Sequence, residues 1–164
     1  MRGLYLPSLR EVALSPRSGY GSGLTEELKA VADHVEVCTD DGSAGFAGFV
    51  TQRLAQLIEG DPPGRPDQVV AIGPMPMMRA IAAATQGTGI RTLVSMDPLM
   101  VDGTGMCGGC RVIVDGQSRF ACIDGPVFDG HLVDFDLAIR RNKAYVEQEK
   151  AAAERQACAT AEVG

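Results

Sequence analysis

An α/β domain built on a parallel sheet, followed by a cysteine loop, a β-hairpin and a terminal helix, is the fold class this sequence predicts. Three observations carry it. From Leu24 to Met96, short apolar runs of strand type alternate with helix-spaced apolar positions, the pattern of parallel strands joined by right-handed crossovers. Glycine and cysteine then crowd the span from Gly103 to Cys110, and Asp115-Gly116 separates two short runs as a hairpin turn does. Beyond Asp136 the chain is charged and alanine-rich, with Glu147, Glu149, Lys150, Glu154 and Arg155, which reads as a helix with a solvated face.

Each element has its own signal. Met1 to Gly23 carries Pro7, Pro16, Gly19, Gly21 and Gly23 without a sustained period, so it is expected to be irregular apart from a short strand at Glu11 to Leu14. Leu24, Leu28, Val31 and Ala32 recur at helical spacing, with Glu26 and Glu27 near the helix start where the dipole favours them. Val35 to Thr39 is a strand, broken by the turn residues Asp41-Gly42-Ser43-Ala44-Gly45 before Phe49, Leu54, Leu57 and Ile58 resume a helix that Asp61-Pro62-Pro63-Gly64 stops. Gln68 to Ile72 is a β-branched run of buried-strand type, and Gly73-Pro74 opens a helix over Met75 to Thr85. Gly87 and Gly89 stop that helix ahead of a strand at Ile90 to Met96. Arg111 to Val114 and Ser118 to Ala121 are the hairpin arms.

Composition narrows the function. At 164 residues the chain matches a single domain, and 45% hydrophobic with 22% charged residues is globular composition. Lys and Arg number 15 against 21 Asp and Glu, a net charge of −6, the wrong sign for neutralising nucleic-acid phosphates. No run reaches the roughly 18 apolar residues of a membrane span. Arg2, Arg10 and Glu11 interrupt any leader-like stretch in Met1 to Ser15, so a cytoplasmic protein without membrane contact is expected. Five cysteines are too few for a secreted disulfide scaffold, which directs attention to metal or redox chemistry.

The most specific motif is Asp102-Gly-Thr-Gly-Met-Cys107-Gly-Gly-Cys110, with Cys122 following after eleven intervening residues. Plant-type 2Fe-2S sites use Cys-x4-Cys-x2-Cys and a distant fourth ligand, and this chain has that spacing if Asp102 stands in the first position. Gly103, Gly105, Gly108 and Gly109 would let the backbone turn its N–H groups toward sulfur. Two other readings stay open on the same residues. One is a structural zinc knuckle using Cys107, Cys110, Cys122 and either His131 or Asp102, in a non-catalytic assembly module; the other is a redox Cys-x-x-Cys pair. Cys38 is expected to be a small buried hydrophobe, and Cys158 lies in the charged tail.

A second set of candidates lies at two strand-to-loop junctions, Thr39, Asp40, Asp41, Gly42 and Ser43, and Gly73, Pro74, Met75, Met77 and Met78. In open parallel sheets ligands bind beyond the carboxyl ends of strands, which is where both fall. An ordinary loop with Met77 and Met78 as core filler is the competing reading. No Gly-x-Gly-x-x-Gly follows directly on a strand and no Gly-Lys-Ser/Thr loop occurs, and no catalytic role is assigned to His34 or His131, which have no nucleophile motif nearby.

Four segments together, Thr39-Asp-Asp-Gly-Ser-x-Gly-x-x-Gly48-Phe-Val-Thr51, Ile72-Gly-Pro-Met-Pro-Met-Met78, Met100 to Val112 and Phe120 to Phe135, resemble the small FAD/NAD-binding subunit of NADH-dependent ferredoxin:NADP oxidoreductase, also described as a sulfide dehydrogenase subunit. The dihydroorotate dehydrogenase electron-transfer subunit is a more distant relative. The resemblance runs from about Thr25 to Tyr145. It implies a ferredoxin-reductase-type nucleotide-binding domain, partial and divergent over 1–96, a 2Fe-2S loop and hairpin over 97–135, and a terminal helix and tail over 136–164. It implies further that Cys107, Cys110, Cys122 and Asp102 hold the cluster and that Thr39 to Ser43 and Gly73 to Met78 line an NAD(P)H site. By the same resemblance the chain relays electrons from a flavin and NAD(P)H site to a larger flavin and iron–sulfur oxidoreductase subunit, with ferredoxin as a further partner, and is not active alone. Met1 to Gly23 resembles neither the family's flavin barrel nor its glycine-rich nucleotide turn. The expectation is therefore the C-terminal half of such a subunit, without a flavin site of its own.

Overall fold

The alternation of strand and helix is realised as two short three-stranded sheets and a separate hairpin in the computed structural model, which describes residues 11–14, 22–39, 41–60, 65–144, 146, 148 and 150–153. The opening segment outside Glu11–Leu14 and Ser22 onward, the Asp61 to Gly64 turn, Asp40, Tyr145, Glu147, Glu149, Glu154, Arg155 and Cys158 lie outside the described residues. Contacts divide the chain into two units, Met1–Pro66 and Asp67–Gly164.

In the first unit β1 (Glu11–Leu14) pairs in parallel with β2 (His34–Thr39), joined by the crossover that carries α1 (Ser22–Lys29). A two-residue strand, β3 (Phe46–Ala47), adds in parallel to the other side of β2, with Cys38 opposite Phe46. Gly45 makes this return possible: its φ is 65°, and a Cβ there would stand 2.0 Å from the Val37 carbonyl oxygen. α2 (Val50–Glu59) follows, its first turn closed by the Phe49 N–H donating to Gln52 Oε1 at 2.9 Å, and it packs against β1. Cys38 is 0% exposed, and burial, reinforced by the charge of Glu36, pushes its thiol up, as a small core residue requires.

The second unit begins with β4 (Gln68–Ile72), α3 (Met75–Thr85) and β5 (Arg91–Ser95), with β4 and β5 parallel and in register from Gln68↔Arg91 to Ile72↔Ser95. Pro74 caps α3 with its carbonyl, which accepts the Met77 and Met78 N–H groups. Met75, Met78, Ile81, Ala82 and Thr85 form one buried stripe along the helix. Ala71, Val94 and Phe128 are paired across three strands, all three are buried, and they share the sheet face under that stripe. The strand run at 68–72 is not buried on both faces as its composition predicts. Val70 and Ile72, which alternate with Ala71, are exposed, so the strand has one covered face.

After β5 the chain forms the loop 96–110, then β6 (Arg111–Val114) and β7 (Gln117–Phe120). Asp115 and Gly116 have φ of 52° and 68°, the pair of left-handed residues a two-residue hairpin turn needs, which starts the second arm at Gln117 rather than Ser118. A short helix, α4 (Ala121–Asp124), leads to β8 (Val127–Asp129), which adds antiparallel to β5. A 3-10 turn at Gly130–Leu132 and α5 (Phe135–Asn142) follow, and the described residues 146, 148 and 150–153 are again helical. Asp134 caps α5 by accepting the Leu137 N–H at 2.9 Å. No helix among the described residues is long and apolar enough to cross a membrane.

Candidate metal centre

The loop 96–110 is folded by its own carboxylate. Asp102 accepts the Thr104 N–H on Oδ1 at 2.9 Å and the Cys107 N–H on Oδ2 at 2.8 Å, wrapping the chain around one side chain. Gly103, Gly105 and Gly108 all have positive φ, so three of the glycines supply backbone conformations that the wrap needs. The Thr104 amide, against an opposing effect of burial and with help from the Cys107 amide, holds the Asp102 carboxyl below the usual carboxylate range.

The hairpin supplies the thiols. Cys110 immediately precedes β6 and Cys122 follows β7, and the bond from Ala121 N–H to the Cys110 carbonyl at 3.1 Å extends the hairpin pairing one step to reach them. Their sulfurs are 3.2 Å apart, Cys110 buried and Cys122 half-buried. Burial raises the Cys110 thiol, but hydrogen bonds from Cys122 and from neighbouring amides outweigh it and leave Cys110 below its ordinary value; the bond from Cys110 pushes Cys122 up. Cys107 is exposed, and its sulfur accepts the Gly109 N–H at 3.4 Å. The structure thus joins Cys110 to Cys122, and places Cys107 and Asp102 together on the preceding loop. Among the described residues no group of three or more His, Cys, Asp and Glu side chains is gathered as for one metal ion. His131, the histidine of the zinc reading, is engaged elsewhere: its Nε2 is 2.9 Å from the Thr85 hydroxyl.

The donor set fits an iron–sulfur cluster by its chemistry. Cys107 on the loop and Cys110 and Cys122 at the base of the hairpin are soft ligands, the Gly109 N–H directed at the Cys107 sulfur is an outer hydrogen bond of the kind such clusters use, and Asp102 offers a carboxylate on the same loop as Cys107. Leu99, Met100, Val101, Met106 and Ile123 are exposed in or beside this segment.

The junction after β4 lines a cavity of about 410 Å³, bounded by Gly73, Pro74, Met75, Asp97, Asn142 and Lys143 among others. Three of the residues predicted there are present; Met78 is fully buried in the core and Met77 half-buried. Asp97, Asn142 and Lys143 were not legible as site residues, although Asp97 lies two residues past the end of β5 and the carboxyl ends of parallel strands signal such positions. Thr39 to Ser43 belongs to the first unit, where the Thr39 hydroxyl donates to the Ala44 carbonyl at 2.9 Å and Asp41 accepts the Ser43 N–H at 3.0 Å.

These features define a fold class, an α/β chain whose parallel strands are followed by a cysteine-bearing loop and hairpin. Residues 97–134 match the model of the iron–sulfur cluster binding domain of dihydroorotate dehydrogenase B. The chain is 45% identical over 132 residues to a dihydroorotate dehydrogenase B electron transfer subunit homolog of Thermotoga maritima, covering 80% of this chain and 45% of that protein. It is 47% identical over 125 residues to an uncharacterized protein in the adh 3' region of Clostridium beijerinckii, covering 76% and 42%. A solved structure of NADH-dependent reduced ferredoxin-NADP oxidoreductase, described for flavin-based electron bifurcation, superposes with a TM-score of 0.76 at 40% identity, over 88% of this chain and 51% of that one. The chain is similar to these electron-transfer subunits, and its residues 97–134 match the iron–sulfur cluster binding domain of dihydroorotate dehydrogenase B. It spans about half the length of the relatives it matches.

Proposed function

We propose that this chain is an electron-transfer module that holds one 2Fe-2S cluster on Asp102, Cys107, Cys110 and Cys122. It relays electrons between a flavin and NAD(P)H site and a larger oxidoreductase subunit. The observation that carries the reading is the meeting of Cys110 and Cys122 at the base of the hairpin, beside the glycine-rich loop that presents Cys107. When bound, the cluster supplies one-electron chemistry. This chain's residues wrap it, aim amides at its sulfurs and keep its ligands in register through β6 and β7.

The cavity beside Gly73, Pro74 and Met75 supports a nicotinamide-nucleotide surface in the second unit, with Lys143 providing a cation for phosphate, Met77 at its margin and Met78 supporting the helix from the core, while Thr39 to Ser43 are proposed separately as a nucleotide-binding loop of the first unit. In this reading residues 1–96 serve the nucleotide, 97–135 the cluster and 136–164 the closing helix, and the flavin is FAD held outside this sequence. Ferredoxin is a further electron partner and the cytoplasm the compartment.

Iron and acid-labile sulfide analysis of anaerobically purified protein, with its visible absorbance, tests the reading. Cys107→Ser, Cys110→Ser and Cys122→Ser are each expected to abolish the visible spectrum, whereas Cys38→Ser and Cys158→Ser keep it. A full spectrum in any of the first three removes that residue from the ligand set, and colourless protein containing zinc sinks the cluster altogether.

A further inference from the structure

We propose that, in the cluster-free chain, Cys110 and Cys122 form a reversible disulfide that decides whether the site can be loaded. The loading consequence rests on the cluster reading above; the bond itself does not. Spacing alone singles out Cys107 and Cys110 as the redox pair, a Cys-x-x-Cys motif, but the fold selects a different pair. Cys110 and Cys122 are 3.2 Å apart at sulfur, while the Cys107 sulfur faces the Gly109 amide. The last registered hairpin pair, Arg111↔Phe120, and the bond from Ala121 N–H to the Cys110 carbonyl hold the two chain segments beside each other. Closing 3.2 Å to the ~2.05 Å of a disulfide needs about an ångström of sulfur movement, which side-chain rotation provides without unpairing the strands.

Exposure sets the order of events. Cys122 is half-buried and open to attack, whereas Cys110 is 1% exposed and touches Cys122. A low-molecular-weight disulfide is the oxidant. The Cys122 sulfur, the accessible one of the pair, gives its proton to solvent and attacks one sulfur of that disulfide; a mixed disulfide forms, the small molecule's S–S bond breaks and one small thiolate leaves. The Cys110 sulfur then attacks the Cys122 sulfur, forming the internal bond and expelling the second small thiolate. The chain has lost two electrons and two protons, and the small disulfide, having taken up both, ends as two thiols. With two of three thiols tied to each other, iron and sulfide find too few ligands, and a dithiol reductant restores them.

The test uses the full chain, purified cluster-free under reducing conditions and then equilibrated with oxidised glutathione. Peptide mapping is expected to find Cys110 linked to Cys122 in the parent and in Cys107→Ser, and no such link in Cys122→Ser. The linked chain should take up neither iron nor sulfide until dithiothreitol is added. A Cys107–Cys110 link, or Cys110 and Cys122 both remaining free, overturns the bond; equal loading of the linked and reduced chains overturns the control. A reduced chain that never loads overturns the cluster reading and the control together, while the mapped link still stands.

Discussion

Asp102 carries more than one demand on a single carboxylate. Both of its oxygens already accept backbone amides, from Thr104 and Cys107, so the side chain orders the loop whether or not it touches iron. A carboxylate is a harder and less electron-donating ligand than a thiolate, so one Asp among three Cys raises the potential of a cluster and makes its attachment more labile. Asp102→Cys is therefore expected to keep the cluster at a lower midpoint, and Asp102→Ala to lose it or admit an outside ligand. An EPR-monitored redox titration of both variants against the parent decides. Unchanged signal shape and midpoint in Asp102→Ala would confine Asp102 to the loop-ordering role that its two hydrogen bonds already show.

Two polar contacts tie elements together in ways that the apolar pattern does not reveal. Thr85 at the end of α3 is fully buried; its hydroxyl receives a bond from Thr92 on β5 at 2.6 Å, donates toward the Ile81 carbonyl at 3.0 Å, and lies 2.9 Å from His131 in the 3-10 turn. Thr85→Val would leave the buried Thr92 hydroxyl with only the Ile90 carbonyl at 3.5 Å and His131 Nε2 without Thr85. Stranding such groups costs about 1–3 kcal/mol, so urea denaturation should show a loss of that size in Thr85→Val and recovery in Thr85→Ser. Equal stability of the valine variant would mean that the network relaxes onto other partners. In the first unit Glu36 on β2 meets the Arg53 guanidinium on α2, with Arg53 Nη2 2.8 Å from Glu36 Oε1. That hydrogen bond, against an opposing effect of burial and with help from His34, holds Glu36 below the usual carboxylate range. The folded state therefore binds this proton less readily than the unfolded chain. The stabilisation is full above about pH 4.3 and is lost as pH falls through the lowered folded value. For a pair near the surface it amounts to about 0.2–1 kcal/mol, and Arg53→Met should flatten the acid limb of stability against pH by that much. An unchanged acid limb would show that the pair contributes nothing across this helix and strand.

At the scale of the whole molecule, legibility followed the length of the local signal. Gln68–Ile72 and Met75–Thr85 were readable residue for residue because an unbroken apolar run and a Pro-led helix carry their own periods. The three residues of β8 carry none; their place beside β5 is set by tertiary pairing. Cys107, Cys110 and Cys122 were visible as a motif, but which two meet depends on hairpin register, and Asn142 and Lys143 reach the cavity from the end of a helix whose sequence reads as solvated. The same scale sets what the chain can do unaided. A nicotinamide delivers a hydride, which is two electrons and a proton, whereas a 2Fe-2S cluster accepts one electron, so a flavin must stand between them. Among the described residues the chain offers thiols, a carboxylate and a cavity of about 410 Å³, and none of these groups divides an electron pair. The purified chain with its cluster is therefore expected to oxidise NADH with an artificial one-electron acceptor no faster than a cluster-free control. Adding the flavin-bearing partner should produce NADH-dependent reduction of the cluster, followed by its EPR signal. Stoichiometric FAD bound to this chain, or rapid NADH oxidation by it alone, would move the electron-splitting step into this sequence.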